Sequence, residues 1–282
     1  MPRSRKLTTS SRPERTPARR GKSDRPSRNV SDRPSRNVIE GRNPVLEALR
    51  GDRPINKVLI VRTVGRYRTI TEIVRLARDA GVVVEWVDGK AVDRISATGR
   101  SQGVVALAAP KAYADLEELI DISVARGEPL LVAMLDGIED PQNLGAIIRT
   151  ADAAGVHGVV IPDRRAAPLT AAVARASAGA LEHLSVARVG NLSNAMAQLG
   201  RHMVRTVGVD PAGDMDYTQI DYRHPTAIVI GAEGKGLSRL VKERCGVLAS
   251  IPMRGKVASL NASVAAALVM FEAARQRSPA PA

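Results

Sequence analysis

Ile251-Pro-Met-Arg-Gly-Lys-Val-Ala-Ser-Leu-Asn-Ala-Ser263 decides the reading of this chain, because a strand pattern enters it and a helix pattern leaves it. Upstream, Val247–Ile251 alternates and is β-branched at both ends, as a short buried strand should be. Downstream, Val264–Arg277 carries Leu268, Val269, Met270 and Phe271 in an apolar helical run. Ser259, Asn261 and Ser263 thus fall where a loop becomes a helix. At such a junction free backbone N–H groups and short polar side chains can converge on one ligand. Capping of the helix by Asn261 or Ser259 is the simpler use of the same residues.

Working outward, two more stretches of the same half depart from plain core patterning. Ile228-Val-Ile-Gly-Ala-Glu-Gly-Lys-Gly-Leu237 is a buried strand ending in three glycines around Glu233 and Lys235. Glycines after a parallel strand let the backbone approach a ligand closely, although a tight turn has the same composition. The stretch lacks Gly-Lys-Ser/Thr and Gly-x-Gly-x-x-Gly, which argues against an NTP-binding loop. Leu135-Asp-Gly-Ile-Glu-Asp-Pro-Gln-Asn-Leu-Gly-Ala-Ile-Ile-Arg149 leads into a helix over Asn143–Ala154. There Leu144, Ile147, Ile148, Ala151 and Ala154 form one apolar stripe. Arg149 lies off the stripe and Asn143 opens the helix, so both can face a groove; a surface arginine and an N-cap asparagine are the alternative.

Strands and helices alternate through the whole region from Leu130, which implies a mostly parallel sheet covered on both faces. A smaller α/β unit precedes it, over 37–109, with strands at Lys57–Val61, Val82–Val87 and Val104–Ala108 and helices at Ile70–Ala80 and Lys90–Thr98. Its basic turn, with Arg94 and Arg100, is suited to RNA phosphates. Residues 110–127 read as a linker with one polar helix, 128–278 as the second domain and 279–282 as a tail.

The first 36 residues hold twelve Lys/Arg against Glu14, Asp24 and Asp32, which is +9 of the chain's formal +13. They read as a disordered basic arm, too poor in apolar residues to offset the entropy of ordering. Within it, Ser-Asp-Arg-Pro-Ser-Arg-Asn-Val at 23–30 repeats at 31–38, too short a duplication to build a solenoid. The charge points to a polyanionic partner, nucleic acid before membrane. A single cysteine, Cys245, permits no internal disulfide and fits a reducing, cytoplasmic setting. No apolar run reaches membrane-spanning length, and four scattered histidines give no metal-binding spacing, so no metal is expected.

Asn143-Leu-Gly-Ala-Ile-Ile-Arg-Thr-Ala, Ile230-Gly-Ala-Glu-Gly-Lys-Gly-Leu and Ile251-Pro-Met followed by Ser259-Leu-Asn-Ala-Ser-Val-Ala resemble the three signature motifs of the SpoU/TrmH family of RNA 2'-O-ribose methyltransferases, in the SPOUT superfamily. Order and spacing match over about 130 residues. The 37–109 unit resembles the ribosomal-protein-L30e-like RNA-binding domain of many members, notably the RlmB-like 23S rRNA guanosine enzymes. Ala262 stands where many members have valine, and the arginine-rich arm is outside the family pattern.

This resemblance implies an α/β knot, a parallel sheet whose last helix passes through an earlier loop, and a homodimer. The last helix is apolar on most sides, and its extra apolar face is the expected subunit contact. It implies S-adenosylmethionine as cofactor, held by Gly231, Gly234, Ile251, Met253, Ser259 and Leu260. It casts Arg149, Asn143, Glu233, Ser259 and Asn261 as the catalytic set, with Arg149 at the ribose hydroxyl. A guanidinium stays protonated, so an electrostatic clamp suits Arg149 better than general-base work. Arg254, Lys256, Arg94 and Arg100 are the candidate RNA contacts. With six aromatic residues in the chain, stacking is not expected to dominate recognition. A tRNA ribose methyltransferase of the same family and a non-catalytic RNA-binding protein are the competing readings.

Overall fold

The computed structural model describes residues 38–51, 53–65, 67–96 and 98–278. The basic arm, with all of its tandem repeat except the last residue, Val38, and the tail at 279–282 lie outside the described residues.

The smaller unit is a four-stranded sheet, β1 (Val38–Glu40), β2 (Ile55–Val61), β3 (Val83–Val87) and β4 (Val104–Ala108), in the order β1-β4-β2-β3. Only β2 and β3 run parallel. Helices α1 (Arg42–Arg50), α2 (Arg68–Asp79) and α3 (Gly89–Ile95) accompany it. Two features depart from the pattern reading. The strand β1 was not expected, since three residues carry too little periodicity to register. α3 also stops at Ile95, short of Thr98, because buried Glu40 accepts hydrogen bonds from Ser96 Oγ (2.8 Å) and the Thr98 N–H (3.3 Å) and so bends the chain into a turn.

Seven parallel strands build the larger sheet. They are β5 (Leu131–Asp136), β6 (Gly158–Pro162), β7 (Ser185–Val189), β8 (Arg205–Val209), β9 (Met215–Asp216), β10 (Thr226–Gly231) and β11 (Val247–Ser250), in the order β7-β6-β5-β10-β8-β11-β9. β5 shows why the sheet is buried on both faces. Leu131, Ala133 and Leu135 point into one core with α5 (Pro141–Ala153), α6 (Ala171–Ala176) and α9 (Ala262–Arg277). Val132 and Met134 point into the other, with α4 (Leu116–Arg126), α7 (Leu192–Arg201) and α8 (Arg239–Arg244). The period-2 alternation of a strand thus feeds two helical layers from one apolar run.

The 110–127 segment is not a free linker. Leu116 and Leu119 of α4 are buried, and Ala114 pairs with Ala187 of β7 as a further parallel bridge. Its polar residues (Glu117, Glu118, Asp121) made the helix look solvated, yet its apolar face fills the core. The two units are also locked together. Arg53 pairs with Glu182 at 2.9 Å, with side-chain exposures of 10% and 2%. Lys111 Nζ donates to the Glu182 carbonyl (3.1 Å), and His183 and Glu47 meet at 2.9 Å. Removing one partner of a buried pair leaves the other charge uncompensated. Arg53→Ala is therefore expected to cost about 3–5 kcal/mol in denaturant unfolding, and a paired Arg53→Met, Glu182→Leu variant to recover much of it.

Candidate active site

Three strands of the larger sheet deliver their carboxyl ends to one cavity, and a fourth braces it from behind. β8 ends in Asp210-Pro211-Ala212, β10 in the 231–236 turn, and β11 in the 251–261 loop; α9 closes the floor with Ala262 and Ala265. Next to them, at the end of β5 and off the cavity wall, the Asp136 carboxylate accepts the Ser238 N–H at 2.6 Å and ties the two central strands together. The connections leave β5 and β10 in opposite directions across the sheet, so the crevice sits at a reversal of strand order, where α/β sheets bind ligands.

The turn after β10 is built by its glycines. Ala232 and Gly236 exchange backbone hydrogen bonds (3.2 and 2.8 Å), with Glu233, Gly234 and Lys235 at the tip. Gly234 and Gly236 adopt φ of 75° and 66°, a left-handed conformation that favours glycine. A Cβ on Gly231 would stand 2.2 Å from the Gly236 carbonyl carbon and 2.4 Å from the Leu237 nitrogen. Only glycine lets the turn fold back at that point.

The cavity measures about 490 Å³, within the range of small-molecule sites. Its walls include Gly231, Gly234, Ile251, Met253, Ser259 and Leu260, the six residues that the motif reading assigned to a cofactor. The sequence reading missed the β8 edge. Asp210 is buried, caps its own turn by accepting the Ala212 N–H (2.9 Å), and pairs with Lys242 at 3.0 Å. A parallel strand ending in Asp-Pro was the available signal.

Beside the cavity, the polar residues of the three motifs meet through one amide. Asn261 Nδ2 donates to Asn143 Oδ1 (3.0 Å) and to Glu233 Oε2 (2.9 Å), while its Oδ1 accepts from the N–H and hydroxyl of Ser263 (2.9 and 2.6 Å). The capping role and the site role of Asn261 coexist, because the amide has a donor end and an acceptor end. Asn143 is not the cap of its helix. Asp140 takes that role, accepting from the Gln142 and Asn143 N–H groups (3.2 and 3.1 Å) with Pro141 following. Asn143 is thereby released to serve Asn261.

Arg149 is exposed on α5, outside the cavity wall, with no hydrogen bond or ion pair among the described residues. Ser259 is exposed on the wall, and Arg254 and Lys256 are exposed on the 251–261 loop. Arg94 and Arg100 are exposed on the smaller unit, where Arg94 Nε donates to the Lys90 carbonyl (3.2 Å). Cys245 packs against Gly208 of β8, and burial pushes its thiol up to about 11, which favours the neutral thiol near neutral pH. Among the described residues no group of three or more His, Cys, Asp or Glu could hold a metal ion, and no helix is long and apolar enough to cross a membrane.

Comparison with known proteins bears on this geometry. Residues 130–271 match the SpoU rRNA Methylase family, and residues 38–114 match the RNA 2'-O ribose methyltransferase substrate binding family. YacO of Bacillus subtilis, assigned to the TrmH family of tRNA/rRNA methyltransferases, is 44% identical over 241 residues, covering 86% of this chain and 96% of its own. A tRNA/rRNA methyltransferase of Mycolicibacterium vanbaalenii is 44% identical over 239 residues, covering 85% of this chain and 76% of its own. Among solved structures, the SpoU methyltransferase AviRb from Streptomyces viridochromogenes in complex with AdoMet superposes with a TM-score of 0.71 at 30% identity, covering 85% of this chain and 90% of that one. The AdoMet-bound rRNA methyltransferase from Sinorhizobium meliloti does so with a TM-score of 0.68 at 29% identity, covering 84% and 86%. A glycine-shaped crevice bordered by an Asn–Asn–Glu network, on a chain whose two parts match consecutive family profiles, leaves one assignment: the protein belongs to the SpoU/TrmH family of RNA methyltransferases.

Proposed function

We propose that the chain transfers the methyl group of S-adenosylmethionine to a ribose 2'-hydroxyl of RNA, and that its target is a guanosine of 23S rRNA. The observation that carries this reading is the adjacency of the cavity to the Asn143–Asn261–Glu233 network, which puts a small-ligand site next to fixed polar groups. The residues present fit the donor. The cavity is mainly apolar, with Ile251, Leu260 and Ala265 for a purine, and Ser259 and Asp210 at its polar edge. When bound, S-adenosylmethionine supplies an activated methyl group on a sulfonium.

The chain's own residues then have defined tasks. The glycine turn and the 251–261 loop hold the donor, and Asn261 fixes that loop against Glu233 and Asn143. Orientation of this kind supplies roughly 7–11 kcal/mol of a bimolecular barrier. As the carbon–sulfur bond breaks and the carbon–oxygen bond forms, S-adenosylhomocysteine leaves and the ribose hydroxyl gives its proton to solvent water. The negative charge that develops on this weakly acidic oxygen needs a cation. Arg149 provides it as a permanent charge that clamps the alkoxide and the neighbouring phosphate. Because Arg149 lies outside the cavity of its own chain, the reading pairs it with the cavity of a second copy.

The face for that contact is on α9, which packs against α5. Val264, Leu268 and Phe271 are 47%, 37% and 51% exposed and follow one another at helical spacing. The opposite face is buried through Ala266, Val269, Met270 and Ala273. The helix end is stitched under the chain: Gln276 exchanges hydrogen bonds with Tyr222 and Ile220 (both 2.9 Å), and Arg277 donates to the carbonyls of Tyr222, His224 and Pro129. In this reading α9 is both the threaded element of a trefoil knot and the seam of a homodimer. Phe271→Glu is expected to turn a dimer into a monomer in light scattering and to abolish methylation; a dimeric, active variant would place the seam elsewhere.

RNA is held by the smaller unit and by the cations of the 251–261 loop, Arg254 and Lys256, with Arg94 and Arg100. The test is transfer of labelled methyl from S-adenosylmethionine to 23S rRNA and to tRNA transcripts, with the product nucleoside identified by mass spectrometry. The expected product is 2'-O-methylguanosine in 23S rRNA. Label only in tRNA overturns the target, and no label in either RNA overturns the activity.

A further inference from the structure

The segment Asp163-Arg-Arg-Ala-Ala167 joins β6 to α6 on the same side of the sheet as the cavity, and both of its ends are pinned. The Asp163 N–H donates to the Val189 carbonyl (2.8 Å), and its carboxylate pairs with Arg188 at 2.8 Å. At the other end, buried Ala167 donates its N–H to the Ile138 carbonyl (2.9 Å). Between these anchors Arg164 and Arg165 are exposed, and neither has a hydrogen bond or ion pair among the described residues. Arg165 has a φ of 60°, a left-handed conformation uncommon outside glycine. Such conformations persist only where the surroundings enforce them, and they concentrate at functional positions.

The guanidinium of Arg165 reaches over the turn that follows β5. A Cβ built on Gly137 would lie 3.5 Å from Arg165 Nη2 and 3.4 Å from the Cβ of Ala232. Ala232 precedes Glu233, whose carboxylate accepts from Asn261. A guanidinium with no partner among the described residues, on a segment anchored at both ends, therefore lies over the Gly137 turn next to Ala232, one residue before the network's Glu233, whereas Arg149 projects from α5. A planar fork of donors in that position matches a phosphodiester, which accepts two parallel N–H bonds.

We propose that Arg165 is a positioning residue that grips a backbone phosphate beside the nucleotide being methylated. The inference rests on the RNA methyltransferase reading. It commits the arginine to the RNA rather than to the carboxylate of the methyl donor.

The test uses the full-length protein, with Arg165→Gly and Arg165→Lys. Glycine adopts the same φ without strain, so Arg165→Gly is expected to melt at or above the temperature of the parent protein. Its affinity for S-adenosylhomocysteine by calorimetry should be unchanged. Its KM for RNA should rise about tenfold, and the dependence of log K on log salt should weaken by about 0.7, the share of one phosphate contact on a single strand. Lysine keeps the charge without the fork and should fall between the two. An unchanged KM and salt slope in Arg165→Gly overturns the proposal. So does a loss of S-adenosylhomocysteine affinity, which would give the arginine to the donor. A parent protein that neither binds S-adenosylhomocysteine nor methylates RNA removes the methyltransferase reading first, and this inference with it.

Discussion

Arg149→Ala is expected to lower kcat for methyl transfer by roughly 10²–10³-fold, the cost of removing one preorganised charge from a developing oxyanion. Binding of S-adenosylhomocysteine should be untouched, because Arg149 is absent from the cavity wall. The fold should be untouched as well, since the side chain is exposed and makes no bond to the described residues. Arg149→Lys separates two roles. A point charge recovers part of the rate if the arginine only neutralises, and little if its fork must hold alkoxide and phosphate together. Complementation is the sharper check. Mixing Arg149→Ala with a chain disabled in its cavity should restore activity if the two residues act across a dimer. A kcat within a few-fold of the parent for Arg149→Ala would remove the arginine from the mechanism.

Gly231→Ala is expected to lose about 10² in affinity for the methyl donor, the scale on which an ångström of displacement is felt in a preorganised site. The added Cβ would sit 2.2 to 2.4 Å from three backbone atoms of Gly236 and Leu237. Backbone has no rotamer to escape into, so the hydrogen bonds between Ala232 and Gly236 must open and the 231–236 wall must move. Overpacking of this kind costs about 1–3 kcal/mol of stability. Gly234→Ala is the control: nothing lies within 4 Å of its Cβ, and its penalty comes from φ alone. Calorimetry with S-adenosylhomocysteine compares the two. Equal affinities in Gly231→Ala and the parent would show that the close approach at 231 does not shape the donor site.

The sheet was legible because burial writes itself into composition. Runs such as Leu130–Leu135 and Ala227–Ile230 are apolar throughout, which marks strands covered on both faces, and the helices between them dictate parallel order. The glycine turn after β10 was legible for a related reason, since few residues other than glycine tolerate the backbone it needs. What misled was composition without partners. The 110–127 segment is polar enough to pass for a linker, yet Leu119 and Ala114 place it in the larger core. Asn143 resembles a cap in composition, but Asp140, three residues earlier with Pro141 behind it, starts the helix sooner and takes the capping bonds.

The sequence by itself determined the two α/β units, the parallel sheet and the glycine-built turn at the cavity edge, because each depends on local backbone permission or on burial along one segment. Only the tertiary structure decided which distant groups meet. Asn261 joins Asn143 and Glu233 across 118 and 28 residues of chain, Asp210 enters the cavity from β8, and Arg165 reaches the turn beside it. Arg149 stays outside. A hydrogen bond needs a few tenths of an ångström of agreement between atoms, and no pattern read along one dimension carries that information until the sheet has set the ends of its strands side by side.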